Sequence, residues 1–171
     1  MGLMPIGSPG RLTAASDEPA PLALIENTGA VFGRVAELVT PAVVYIEAKQ
    51  KEKDGGTVNQ EAGSGVFVRP ASLKRPVVVT NLHVVAHAEP KAVEVILPDG
   101  RLLNPTRILT DEDTDLAVLD FEGENLPAAK FAEKGNDVRV GQWVLAIGSP
   151  FGLMQSVTHG IVSATQRRRL G

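Results

Sequence analysis

His83 is the residue around which chemistry can be argued. It sits in Val77-Val78-Val79-Thr80-Asn81-Leu82-His83-Val84-Val85, an apolar run that breaks at Thr-Asn and then presents one imidazole between apolar neighbours. An imidazole changes charge near neutral pH and serves as a general base when its tautomer is fixed. Asp115 is the matching carboxylate. In Thr110-Asp111-Glu112-Asp113-Thr114-Asp115-Leu116-Ala117-Val118-Leu119 an acidic turn ends with an aspartate directly against an apolar strand. That last carboxylate is the one expected to be carried into the interior, whereas Asp111 and Asp113 suit capping and turn roles. A buried carboxylate is costly unless paired, and an imidazole Nδ1–H is a natural donor to it. Such a pair stabilises the imidazolium that forms when Nε2 takes a proton from a nucleophile. The spacing alone does not bring the two together, and a hydrogen-bonded core histidine with a capping aspartate fits the same residues.

A metal reading competes, since His83 and His87 lie four apart and would share one face of a helix. The zinc motif His-Glu-x-x-His needs glutamate second, and here that place is Val84. A two-histidine site with a remote carboxylate stays as the weaker alternative. Otherwise His87 reads as a surface residue after the helical turn and His159 as a strand residue near a cleft mouth. The chain has no cysteine, so thiol nucleophiles, thiolate metal sites and disulfides are excluded. No cofactor is expected.

The elements that must hold His83 and Asp115 are short. Val31, Phe32, Val35, Leu38 and Val39 recur at helical spacing, with Asn27 or Thr28 as a cap and Pro41 as a stop, which predicts a short helix docked on the domain. Strands are predicted at 43–48, 63–68, 76–80, 92–97, 102–109 and 116–121, with Pro98-Asp99-Gly100 a turn between two of them. The charged stretch 49–62, with Gly55-Gly56, reads as a mobile surface loop. Short Val- and Ile-rich strands separated by turns predict an all-β fold, in which six strands would close one small barrel. Residues 125–133 read as a connector, and 137–147 and 153–164 as the opening strands of a second β unit, with Trp143 in its core. The expected organisation is a lead-in at 1–26, helix and first barrel at 27–124, and connector plus partial second barrel at 125–171.

Five segments together resemble one family. Gly63-Ser64-Gly65-Val66-Phe67-Val68, Val79-Thr80-Asn81-Leu82-His83-Val84-Val85, Thr114-Asp115-Leu116-Ala117-Val118-Leu119, Val140-Gly141-Gln142-Trp143-Val144-Leu145-Ala146-Ile147-Gly148-Ser149-Pro150-Phe151-Gly152 and Val157-Thr158-His159-Gly160-Ile161-Val162-Ser163-Ala164 occur in the order found in HtrA (DegP-like) trypsin-fold serine proteases. The resemblance covers residues 30–171 and implies two antiparallel barrels with an active site in the cleft between them. On it His83 matches the general base and Asp115 the orienting carboxylate. It also implies unfolded or misfolded protein substrates, homotrimers and a periplasmic or other extracytoplasmic quality-control role.

The pattern departs from the family in one place. The third triad member should be a serine in a Gly-Asn-Ser-Gly-Gly segment, whose backbone N–H groups also build the oxyanion hole. Ser8, Ser16, Ser64, Ser72, Ser149, Ser156 and Ser163 all lack that context, and the Gly-x-Ser-x-Gly elbow of other hydrolases is absent too. The expectation is a fragment that holds base and orienter without nucleophile or oxyanion hole, inactive by itself. A pseudoprotease acting as a peptide-binding or scaffolding domain is the alternative. No PDZ module is present in these residues. The net charge of -3, with scattered basic residues apart from Arg167, Arg168 and Arg169, argues against nucleic-acid binding, and no apolar run approaches a membrane span. Residues 1–26 read as a flexible lead-in or the remnant of an export signal.

Overall fold

The structure is a computed structural model that describes residues 20–51, 58–123, 125–132, 137–149 and 155–165. Helix α1 spans Ala20–Val39 and so begins before the expected cap at Asn27. Residues 20–26 belong to this helix rather than to an unstructured lead-in, while 1–19 lie outside the described residues. Ala20, Leu22, Ala23 and Leu24 are strong helix formers, and Pro21 falls in the first turn, where a missing N–H breaks no intrahelical bond. At the other end the chain tightens into a 3-10 turn, Thr40–Ala42, around Pro41. No helix among the described residues is long and apolar enough to cross a membrane.

The first unit is one antiparallel sheet built from β1 (Val43–Lys51), β2 (Val58–Val68), β3 (Val77–Asn81), β4 (Val93–Ile96), β5 (Leu102–Leu103), β6 (Arg107–Asp111) and β7 (Leu116–Asp120), in the order β5-β4-β1-β2-β3-β7-β6. Two differences from the sequence reading have physical causes. The stretch 49–62 is not wholly a loop, because β1 and β2 run on as a paired ribbon from Val43↔Val66 to Lys51↔Val58. Backbone pairing continues there without an apolar face to bury, and Gln60, Glu61 and Ala62 are exposed. Residues 52–57 lie outside the described residues. The single strand expected at 102–109 is two, interrupted at Asn104-Pro105-Thr106, since Pro105 has no N–H for a ladder.

That interruption closes the barrel. Seven strands laid flat would put the outer two about 29 Å apart. Yet β5 and β6, the two outer strands, are joined by three residues that reach at most about 14 Å. The sheet must therefore curl until its edges meet at the buried Pro105. Asn104 Nδ2 donates to the Val93 carbonyl at 2.8 Å and Thr106 N to the Asp120 carbonyl at 2.8 Å, pinning the corner to both sides. Period-two alternation then points Val44, Ile46, Ala48, Val93, Val95, Ala117 and Leu119 inward, around the Phe67 and Phe121 rings, whose centroids are 5.5 Å apart.

The second unit is a ribbon of β8 (Trp143–Gly148) and β9 (Ser156–Ile161). It begins later than expected, after a turn in which Gly141 takes φ 86. Trp143 is not core: it is 57% exposed. Among the described residues no third strand covers it, so it packs against Phe32 of α1 and His159 of β9, with ring centroids 5.4 and 5.8 Å away. The ribbon is tied to the barrel by Ser149 N, which donates to Ser64 Oγ at 2.8 Å, and by Gln155 Nε2, which donates to the Thr40 and Val43 carbonyls at 3.1 and 3.3 Å.

Candidate active site

Strands β3 and β7 pair antiparallel with Asn81 opposite Leu116. His83, just beyond the end of β3, and Asp115, just before the start of β7, therefore meet at one rim of the barrel. This register brings the two candidates together, and spacing in the sequence could not reveal it. After Asn81 the chain turns into α2, the single helical turn Leu82–Val85. Val84 and Val85 are buried and hold that turn down, leaving His83 between them and the solvent. Gly63 makes room for the anchor: a Cβ there would lie 2.6 Å from Val84 Cγ2. A Cβ on Gly65 would meet Val78 Cγ1 at 2.6 Å and Ile46 Cδ1 at 2.7 Å, so both glycines of Gly63-Ser64-Gly65 are steric requirements of the wall behind His83.

Asp115 adopts φ 53, the left-handed region that aspartate tolerates better than most residues. In this conformation its carboxylate lies over the start of α2. Oδ1 accepts from His83 N at 3.0 Å, Oδ2 lies 2.8 Å from His83 Nδ1, and the Asp115 carbonyl accepts from Leu82 N at 3.0 Å. Asn81 Nδ2 donates to the same carbonyl at 3.1 Å and to Oδ2 at 3.3 Å. A carboxylate carries no proton, so the ring nitrogen facing Oδ2 must be Nδ1–H. Nε2 then holds the lone pair of a base. The hydrogen bond from the His83 ring, followed by that from the His83 backbone N–H, holds the Asp115 carboxyl below the usual carboxylate range.

The expectation that Asp115 is carried into the interior needs correcting. The His83 and Asp115 side chains are 68% and 47% exposed, because the left-handed turn leaves the pair on the rim rather than inside the barrel. The metal alternative finds no geometry. Helix α2 ends at Val85 and His87 follows at φ 59, so the two histidines share no helical face. Among the described residues no group of three or more His, Asp or Glu side chains is arranged to hold a metal ion. His159 stacks on Phe32 at 5.5 Å, in the corner formed with α1. Ser64 and Ser149 hydrogen-bond to each other and link the two units. Sequence reasoning gave no role to Asn81 or Gly63, although an asparagine at the start of a helical turn is itself a signal.

Residues 63–170 match the model of the trypsin-like peptidase domain family. The mitochondrial serine protease HTRA2 of Drosophila pseudoobscura pseudoobscura is 36% identical over 143 residues, covering 80% of this chain and 32% of the relative. A probable periplasmic serine endoprotease, DegP-like, from Chlamydia pneumoniae is 33% identical over 187 residues, covering 91% and 38%. Among solved structures, the HtrA-type protease AlgW with a tripeptide superposes with TM-score 0.67 at 33% identity, covering 82% of this chain and 42% of that one. The serine endoprotease from Yersinia pestis does so with TM-score 0.65 at 32% identity, covering 79% and 45%. The chain spans about a third of the length of the two sequence relatives and under half that of the two structures. By family model, sequence and fold, the chain belongs to the HtrA (DegP-like) group of trypsin-fold serine proteases.

Proposed function

We propose that these residues are the base-bearing part of a serine endopeptidase of unfolded proteins, with His83 the general base and Asp115 the carboxylate that orients it. The observation that carries this reading is the 2.8 Å contact between Nδ1 and Oδ2 on an imidazole whose side chain is largely exposed at the barrel rim. In the reaction Nε2 takes the proton of a serine hydroxyl as it attacks the scissile carbonyl, and Asp115 stabilises the resulting imidazolium. Residues 1–171 supply neither that serine in a Gly-Asn-Ser-Gly-Gly segment nor its oxyanion hole, so they do not turn over peptides by themselves. The periplasmic description of the Chlamydia pneumoniae relative supports an extracytoplasmic role, and the resemblance supports homotrimers.

The test is a fluorogenic casein assay in two arms. The 171-residue chain alone shows no turnover, and turnover abolished by His83→Ala would overturn its inactivity. Continued through the serine-bearing segment of the Chlamydia pneumoniae relative, it gains turnover. In that form His83→Ala loses about 10⁶-fold and Asp115→Asn about 10⁴-fold in kcat. Full activity in His83→Ala would remove the base assignment.

A further inference from the structure

We propose that Asn81 is a positioning residue: its side-chain amide aims Asp115 Oδ2 at His83 Nδ1 and so fixes the tautomer that leaves Nε2 free to accept a proton. This deepens the peptidase reading above and rests on it. Asn81 occupies the N-cap position of α2, with φ -83 and ψ 147, yet its side chain makes no capping hydrogen bond. An asparagine in that position ordinarily folds back onto the N–H of the second or third helical residue. Here Asp115 takes over the capping from across the ladder, accepting from Leu82 N with its carbonyl and from His83 N with Oδ1. The Asn81 amide is thereby released from the helix, and Nδ2 reaches the Asp115 carbonyl and Oδ2 instead.

The need for such a brace follows from exposure. The Asp115 side chain is 47% exposed, so water competes for both oxygens. The torsion that turns an aspartate carboxylate is also broad, with no sharp staggered wells to hold it. The His83 backbone N–H fixes Oδ1, but without Asn81 the one donor on Oδ2 would be the His83 ring itself, and the carboxylate could swing Oδ2 about the Oδ1 contact together with the imidazole. A second donor on Oδ2, from a residue fixed in the β3 ladder, ties the plane of the carboxylate to the barrel rather than to the ring it must orient. Side-chain chemistry separates this role from capping. Serine and aspartate cap as well as asparagine, but serine is too short to reach across and aspartate has no proton to give.

The experiment is ¹H–¹⁵N NMR of the histidine side chains in the full 171-residue chain, at a pH where the imidazole is neutral. In the wild type His83 is in the Nδ1–H form, and the Asn81 Nδ2 protons shift as Asp115 is protonated in acid. In Asn81→Ser and Asn81→Asp, with the backbone amide spectrum of the barrel retained, the ratio reverses to an excess of the Nε2–H form. Retention of the wild-type tautomer in Asn81→Ser would overturn the proposal and leave Asn81 a cap. If neither variant folds, the wild type decides: Asn81 Nδ2 protons indifferent to Asp115 protonation overturn it, and coupled shifts support it. These signals need no substrate, so a failed peptidase assay would leave them unchanged and the two failures stay distinct.

Discussion

The first barrel and the β8–β9 ribbon are made of the same material and end in different states. Both are antiparallel and rich in valine and isoleucine. In the barrel Val44, Ile46, Phe67, Val78 and Leu119 are fully buried. In the ribbon Trp143, Val144, Val157 and Ile161 stay between 41% and 57% exposed. Strand propensity makes a strand in either place, but burial comes from closure, and closure in the barrel depends on the short corner that joins β5 to β6. The candidate catalytic pair is built wholly on the closed unit, at the rim where β3 ends and β7 begins. The ribbon meets that unit through a few polar contacts and a cavity of about 440 Å³ lined by Val35, Val39, Val43, Val66, Leu145 and Ile147 among others.

The largest effect expected from this contrast is in the barrel core. Phe67→Ala removes a fully buried ring from its contact with Phe121 and costs about 3–5 kcal/mol by urea unfolding followed by circular dichroism. A loss below about 1 kcal/mol would mean that the closed unit does not carry the stability.

A smaller effect is expected at the far end of the β3–β7 ladder. There the buried Asp120 carboxylate accepts from Arg75 Nε at 2.8 Å and from Arg75 Nη2 at 2.5 Å, with Arg107 Nη2 at 3.6 Å. The Arg75 hydrogen bonds, ahead of its charge and that of Arg107, hold the Asp120 carboxyl below its ordinary value. Its folded pKa is thus lower than its unfolded one, so the stability it contributes is present above the ordinary aspartate range and is lost as pH falls through the folded value. Arg75→Gln lowers the denaturation midpoint near neutral pH and flattens its fall in acid. An acid profile parallel to the wild type would show that this end of the ladder is not held by charge.

Alternating apolar residues made the barrel strands and their inward positions legible, because burial on one face leaves a period of two. His83 and Asp115 were legible as chemistry for a related reason: each is a polar group set directly against an apolar run. Features that depend on a partner strand left no such trace. The ribbon extension at 58–62 is set by its backbone register with β1, and the role of Asn81 depends on which residue stands opposite it in β7. Asp115 looked interior because it ends a turn, but its left-handed φ turns the carboxylate back over α2. Trp143 looked like core because a strand sequence says which side chains share a face and not whether anything covers that face.

The smallest effect tests the separation of the two units most directly. Trp143 is the single tryptophan of the chain, so fluorescence excited at long wavelength reports the corner where β8 and β9 meet Phe32 of α1. Circular dichroism is dominated by the barrel strands. If the ribbon opens below the global transition, the fluorescence midpoint falls at lower urea than the dichroism midpoint, as expected for a weakly packed segment. Trp143→Phe, which keeps a ring against Phe32, then moves the dichroism transition by less than about 0.5 kcal/mol. Coincident transitions would instead indicate one cooperative unit. The Ser149–Ser64 and Gln155 hydrogen bonds would then couple ribbon to barrel by more than the roughly 1 kcal/mol each that such bonds ordinarily contribute. In that case the rim bearing His83 and Asp115 would share its stability with the ribbon, and substitutions in β8 would reach the candidate site through Ser64, next to the Gly63 that seats Val84.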